Sequence, residues 1–106
     1  MDKLDLIFKK QKQLQTKMKY ELKWQENISI NVLAAKVELT ELLQETNWRP
    51  WKTIKEIDKN KLIEEYIDII HFIINLALLL DITPSKLYNE YCKKNEINHK
   101  RQQQKY

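Results

Sequence analysis

Two pairs of acidic residues stand out for their spacing: Glu38 with Glu41, and Glu65 with Asp68. Side chains three apart on a helix project from the same side. If both segments are helical and pack antiparallel, the two pairs face each other. Like charges about 4 Å apart repel by roughly 1 kcal/mol in water and by roughly 4 kcal/mol at an effective dielectric of about 20. Four acids on inward stripes are therefore unfavourable unless cations join them. Carboxylate oxygens are hard ligands that suit Mg²⁺, an ion that keeps several waters and also takes substrate phosphates. Two or more such ions, with Mn²⁺ as a substitute, could hold a triphosphate, position a water and offset leaving-group charge. Taken singly, either pair also fits a solvated helix face, because glutamate favours helices. Their setting in the most apolar parts of the chain favours a site.

The elements that must position these acids can be read from periodicity. Leu4, Ile7, Phe8, Leu14, Met18 and Leu22 recur at helical spacing and predict a first helix over about 2–24. Residues 25–27 predict a break, with Asn27 or Ser29 capping a second helix over about 28–46. That helix carries an apolar stripe of Val32, Ala35, Leu39, Leu42 and Leu43. Beside it runs a second stripe of Asn31, Ala34, Glu38, Glu41 and Glu45. Residues 47–57 form a connection interrupted by Pro50, and its Trp48 and Trp51 predict packing or a pocket wall.

A third helix is predicted over about 58–80, with Asp58 or Asn60 as its N-cap. From Ile69 onward it is apolar on nearly every side, which one small protomer cannot cover, so a helical dimer is expected. Glu64, Asp68, His71 and Asn75 form a polar row within it, flanked by Glu65. His71 reads either as a buried histidine satisfied by an acid or as a residue orienting Asp68. Asn75 reads as a satisfied core amide or as a base contact. Thr83 and Pro84 predict the start of a fourth helix. It runs to about Asn95 or further, with Leu87, Tyr88, Tyr91 and Cys92 inward. The polar remainder, taken alone, reads as an unordered tail.

The chain has 106 residues with no glycine and two prolines, which argues against sheets and tight turns. The expected fold is all-α: one domain, an antiparallel bundle of about four helices with a thin core, completed by oligomerisation. Nineteen basic and 15 acidic residues give a net charge of +4, a mild bias that suits a phosphorylated ligand. The basic residues gather at the ends rather than along one stripe, so nucleic acid is not the expected partner. The single Cys92 excludes an internal disulfide and a cysteine zinc site, and suits a reducing cytoplasm. The first residues include acids and no apolar run, unlike a signal peptide. The run from Ile69 to Leu80 is shorter than a membrane span and is interrupted by His71 and Asn75, so no membrane is expected.

E-x-x-E on one helix and E-x-x-D on the next resembles the all-α nucleotide pyrophosphatases, the MazG-like and dimeric dUTPase superfamily. Its phage and bacterial dUTPase branch is the more similar. Glu38-Leu39-Thr40-Glu41 resembles the first acidic helix of that branch, and Glu64-Glu65-Tyr66-Ile67-Asp68 before His71-Phe72 resembles the second. Trp48-Arg49-Pro50-Trp51 is similar to its aromatic-basic-x-Trp turn, and Phe8-Lys9-Lys10-Gln11 to its first motif. Tyr91, Lys94-Asn95, Asn98, Arg101-Gln102 and Tyr106 resemble its closing motif. Two departures are visible. Lys105 stands where the family has glycine, and Asp81-Ile82-Thr83-Pro84 replaces the extra helices that usually precede the closing motif.

The resemblance implies hydrolysis of dUTP to dUMP and pyrophosphate, with dUDP a second substrate, in a homodimer. It implies Mg²⁺ bound by Glu38, Glu41, Glu65 and Asp68, with Glu38 or Glu41 polarising the water. Lys94, Asn98, Arg101 and Tyr106 would hold phosphates, with Arg49 and Lys52 as further candidates. Gln11 would contact the base, and Trp48 would stack on it or plug the core. The expected place of action is the cytoplasm, of a cell or of a phage's host. The alternatives are a dCTP or broader pyrophosphatase and, in another class, a helical nucleic-acid-binding regulator.

Overall fold

The computed structural model describes residues 2–17 and 24–104. They form four helices, α1 (Lys3–Lys17), α2 (Trp24–Gln44), α3 (Lys59–Leu79) and α4 (Pro84–Gln103), and the fold is all-α as expected. Met18 and Leu22 of the predicted first stripe, and Tyr106, lie outside the described residues.

At the start of α1 the backbone N–H of Asp5 donates to Asp2 Oδ1 at 2.8 Å, and that of Asp2 donates to Asp5 Oδ2 at 3.2 Å. This reciprocal cap satisfies donors that the first turn leaves open. Only Phe8 and Gln11 of α1 are buried. Ile7 and Leu14, expected on the inner stripe, are exposed, because α1 meets α3 and α4 but no third helix.

The predicted break at residues 25–27 is absent, and α2 runs through it. Neither candidate cap acts as one. Ser29 Oγ donates back to the Gln25 carbonyl at 3.2 Å, and the Asn27 carbonyl accepts from Asn31 Nδ2 at 2.8 Å. Such back-bonding lets polar side chains sit inside a helix. The buried face of α2 also differs from the expected one. Asn31 and Ala35 are buried and Ala34, Glu38 and Leu42 half-buried, whereas Val32 and Leu39 are 42% and 51% exposed and Leu43 is exposed too. The covered face thus mixes the two stripes, Asn31, Ala34 and Glu38 with Ala35 and Leu42, while Glu41 and Glu45 are exposed.

Helices α2 and α3 are antiparallel, since Asn31 meets Asn75 while Glu38 meets Glu65 and Asp68. Asp58 caps α3, its carboxylate accepting from the backbone N–H groups of Asn60 and Lys61. The core is thin. Phe8, Ile74 and Ala77 form its cluster, with Leu4, Ile70, Leu78, Ile82 and Leu87 packed around it.

The turn from α3 to α4 shows how a chain without glycine ends a helix. Asp81 takes φ 57°, the left-handed conformation that glycine adopts at low cost. The N–H of Ile82 reaches the Ala77 carbonyl at 2.8 Å, and that of Asp81 reaches Leu78 at 3.2 Å. Thr83 then caps α4 with Pro84 in its first turn, as predicted. The two helices meet at a bend of 102°. Helix α4 extends well past Asn95, so the polar segment is helical as far as Gln103. Among its expected inward residues only Leu87 is half-buried. Tyr88 and Tyr91 are each 66% exposed, and Cys92 is exposed, because after its first turns α4 projects beyond the bundle. Among the described residues no single helix is long and apolar enough to cross a membrane.

Replacing Asp81 by glycine should relieve the left-handed strain. Asp81→Gly is expected to raise stability by roughly 0.5–1 kcal/mol in urea unfolding. A lowered midpoint would contradict that reading of the turn.

Candidate metal and nucleotide site

Glu38 from α2 and Glu65 and Asp68 from α3 each bring one carboxylate oxygen within 4.8 Å of the other two. One oxygen of Glu38 and one of Glu65, Oε2 in each case, is buried with no hydrogen-bond partner. An ionised carboxylate oxygen only accepts, so a buried one among other acids calls for a donor or a cation. The residues present therefore fit a metal ion. Glu41 is not in this triad. It lies beside Glu38 on the exposed side of α2, within side-chain hydrogen-bonding reach. Burial pushes the Glu38 carboxyl above its ordinary value of 4.5. The hydrogen bond and charge of Glu41 push it further, and Asp68 and Glu65 add to this.

Lys61 was not singled out by its sequence. Its Nζ lies 3.4 Å from Glu65 Oε1, one helical turn away. Glu65, Glu64 and Glu45 together hold the Lys61 ammonium above its usual range, Glu65 first among them. The i,i+4 spacing of Lys61 and Glu65 was the available signal.

One layer deeper along the same seam lies a chain of buried amides. Gln11 Nε2 donates to Asn75 Oδ1, and Asn75 Nδ2 donates to Asn31 Oδ1 at 3.0 Å. The chain ends at the Asn27 carbonyl, which accepts from Asn31. Asn75 is only 3% exposed, and both ends of its amide are engaged. A carbonyl can only accept, so the Asn27 end fixes the polarity of all three amides. Gln11 and Asn75, both candidates for the base, are thus brought together, and Asn31 of the second α2 stripe is the partner that the sequence did not pair with them. His71 is exposed and makes no hydrogen bond to Asp68 among the described residues, so the buried-histidine expectation is corrected.

The connection after α2 is folded back on itself by Asn47. Its Oδ1 accepts from the Lys55 N–H at 3.0 Å, and its Nδ2 donates to the Lys55 carbonyl at 2.8 Å. Within this loop the Arg49 guanidinium lies 4.7 Å from the Trp48 ring centre and donates to Gln44 Oε1 at 2.8 Å. Trp51 meets Trp48 edge-on, with ring centres 5.9 Å apart. Both rings are exposed, so Trp48 does not plug the core of this chain. Arg49, Lys52 and Lys55 line a pocket of about 90 Å³ with Thr46, Asn47 and Thr53.

Lys94, Asn98 and Arg101 share a face of α4, as expected. They stand apart from the acids, however, since α4 approaches α1 and neither α2 nor α3.

The raised Glu38 carboxyl has a consequence for stability. Just above pH 4.5 the folded, metal-free protein keeps a proton that the unfolded chain has lost. Its urea midpoint should therefore fall as pH rises through that window, and Glu38→Gln should flatten the slope. Equal slopes in the two proteins would contradict the assignment.

A family model described as dUTPase matches residues 3–86, from α1 into the first turn of α4. The acid triad, the amide chain and the tryptophan loop lie inside the match, while the closing residues from Tyr91 lie beyond it. No curated protein and no solved structure shows a match. On the strength of the family match, in keeping with its four helices and paired acids, the chain belongs to the dimeric, all-α dUTPase family of nucleoside triphosphate pyrophosphatases.

Proposed function

We propose that this chain hydrolyses dUTP to dUMP and pyrophosphate with Mg²⁺, and accepts dUDP as a second substrate. The observation that carries the metal site is the pair of buried, unpartnered oxygens on Glu38 and Glu65 within an acid triad. Bound there, two or more Mg²⁺ ions, or Mn²⁺ in their place, would neutralise phosphate charge and lower the pKa of a water.

The chain's own groups divide the remaining work. Glu38, Glu65 and Asp68 hold the metal, and Glu41 completes the set from the solvent side. Standing beside Glu38 without entering the triad, Glu41 is the carboxylate better placed to polarise the attacking water. Glu38 remains the alternative in that role. Asn75 lies seven residues from Asp68 on α3, two turns or about 10 Å along the same face. That is roughly the reach of a nucleotide from phosphate to base, which supports Gln11 at the base end, while Asn75, with both ends of its amide engaged, is the satisfied core amide that holds Gln11 in place. Trp48, exposed at the loop, supplies a stacking face. Arg49 and Lys52 supply cations for phosphate oxygens, and His71 flanks Asp68 at the rim.

The active form in this reading is a homodimer acting in the cytoplasm. Large apolar side chains remain exposed along α2 and α3, among them Leu33, Val37, Leu39, Ile63 and Ile67. A second copy would cover them. It would also give Lys94, Asn98 and Arg101 a route to phosphates that they lack within one chain.

Pyrophosphate release from a panel of deoxynucleoside triphosphates with Mg²⁺ tests the proposal. The expected result is a preference for dUTP, abolished by chelation. Glu41→Gln and Asp68→Asn should each lower turnover by about a hundredfold or more while the helical signal is kept. A preference for dCTP would overturn the substrate, and full activity in both variants would overturn the site. Light scattering should give about twice the 13.0 kDa mass of one chain, and a monomer at working concentration would contradict the dimer.

A further inference from the structure

We infer that Lys61 selects the ion. Its ammonium occupies one oxygen of Glu65 and confines that carboxylate to single-oxygen coordination, which favours magnesium over calcium. The inference rests on the metal-site reading above and deepens it.

The two oxygens of Glu65 stand in different surroundings. Oε1 lies 3.4 Å from Lys61 Nζ, and Oε2 is buried without a partner. Glu65 as a whole is 7% exposed, so its carboxylate has little room to turn. Lys61 is anchored on the same helix, with its backbone N–H held by the capping Asp58 carboxylate at 3.3 Å. The lysine therefore reaches Glu65 through local helix geometry. A cation entering between Glu38, Glu65 and Asp68 meets Oε2 with Oε1 already engaged.

Ion chemistry gives this arrangement its consequence. Calcium takes six to eight oxygens in a flexible shell and readily accepts both oxygens of one carboxylate. Magnesium demands a near-octahedral shell, to which the narrow bite of a two-oxygen carboxylate is poorly suited. A Glu65 limited to Oε2 suits magnesium. A Glu65 with both oxygens free suits calcium. The charge of Lys61 acts differently, since an ammonium near the site weakens every divalent cation to a similar degree. The ratio of calcium to magnesium affinity therefore isolates the coordination effect from the charge effect.

The test is calorimetric titration of the nucleotide-free protein with Mg²⁺ and, separately, Ca²⁺. It compares wild type, Lys61→Met, Lys61→Ala and Lys61→Arg, each checked for helix content. Both neutral variants should raise the calcium-to-magnesium affinity ratio by about tenfold. Lys61→Arg, which keeps a donor on Oε1, should leave the ratio near the wild-type value. A ratio unchanged in the neutral variants overturns the inference, even if both ions bind more tightly. Wild-type protein that binds neither ion would overturn the metal-site reading instead, so the two failures are distinguishable.

Discussion

Carboxylates repel one another, and α2 and α3 pack with that repulsion built into their seam. Glu38, Glu65 and Asp68 converge within 4.8 Å, two of their oxygens buried without a partner, and Glu41 adds a fourth charge beside them. Like charges this close cost several kcal/mol unless a proton or a cation intervenes. Without metal, a raised carboxyl on Glu38 and the ammonium of Lys61 relieve part of the strain. The seam is stable enough to exist and unsatisfied enough to take up cations.

Much of the remaining architecture follows from placing polar groups where a small bundle would normally place leucines. Asn31, Ala34, Ala35 and Glu38 occupy the inner face of α2, and Val32, Leu33, Val37, Leu39 and Leu43 are turned outward. Two turns from the acids, the amides of Gln11, Asn75 and Asn31 tie α1, α3 and α2 together. Each buried amide left unpaired would cost about 1–3 kcal/mol, so the three hold one another in place. The core that remains, around Phe8, Ile74 and Ala77, is small. In the proposed dimer, a second chain would supply stability that a larger core gives elsewhere.

Local signals are legible in the sequence. Acid pairs at i,i+3 announce a shared helix face whatever the fold, and Asp58 and Thr83-Pro84 announce helix starts through their own chemistry. The all-α class followed from the absence of glycine and from periodicity. Signals that depend on the partner surface were not legible. Hydrophobicity put Val32, Leu39 and Leu43 inward, but the seam between α2 and α3 covers Asn31, Ala34 and Glu38 instead. Asn27 and Ser29 looked like caps because their side chains can bond backbone groups, and they lie within a helix that tolerates them. The roles of Asn31 and Lys61 are not legible in the sequence, because an asparagine on a polar stripe and a lysine one turn from a glutamate are common on solvated helices. Their meaning appears only once Asn75 and the buried oxygen of Glu65 are set beside them.

The central claim is that the meeting point of Glu38, Glu65 and Asp68 is a divalent-cation site. Anomalous diffraction from crystals soaked in Mn²⁺ tests it most directly. The account predicts a strong peak between these three carboxylates, in contact with Oε2 of Glu38 and of Glu65. Crystals that take up Mn²⁺ elsewhere and show no peak among the three acids would contradict it.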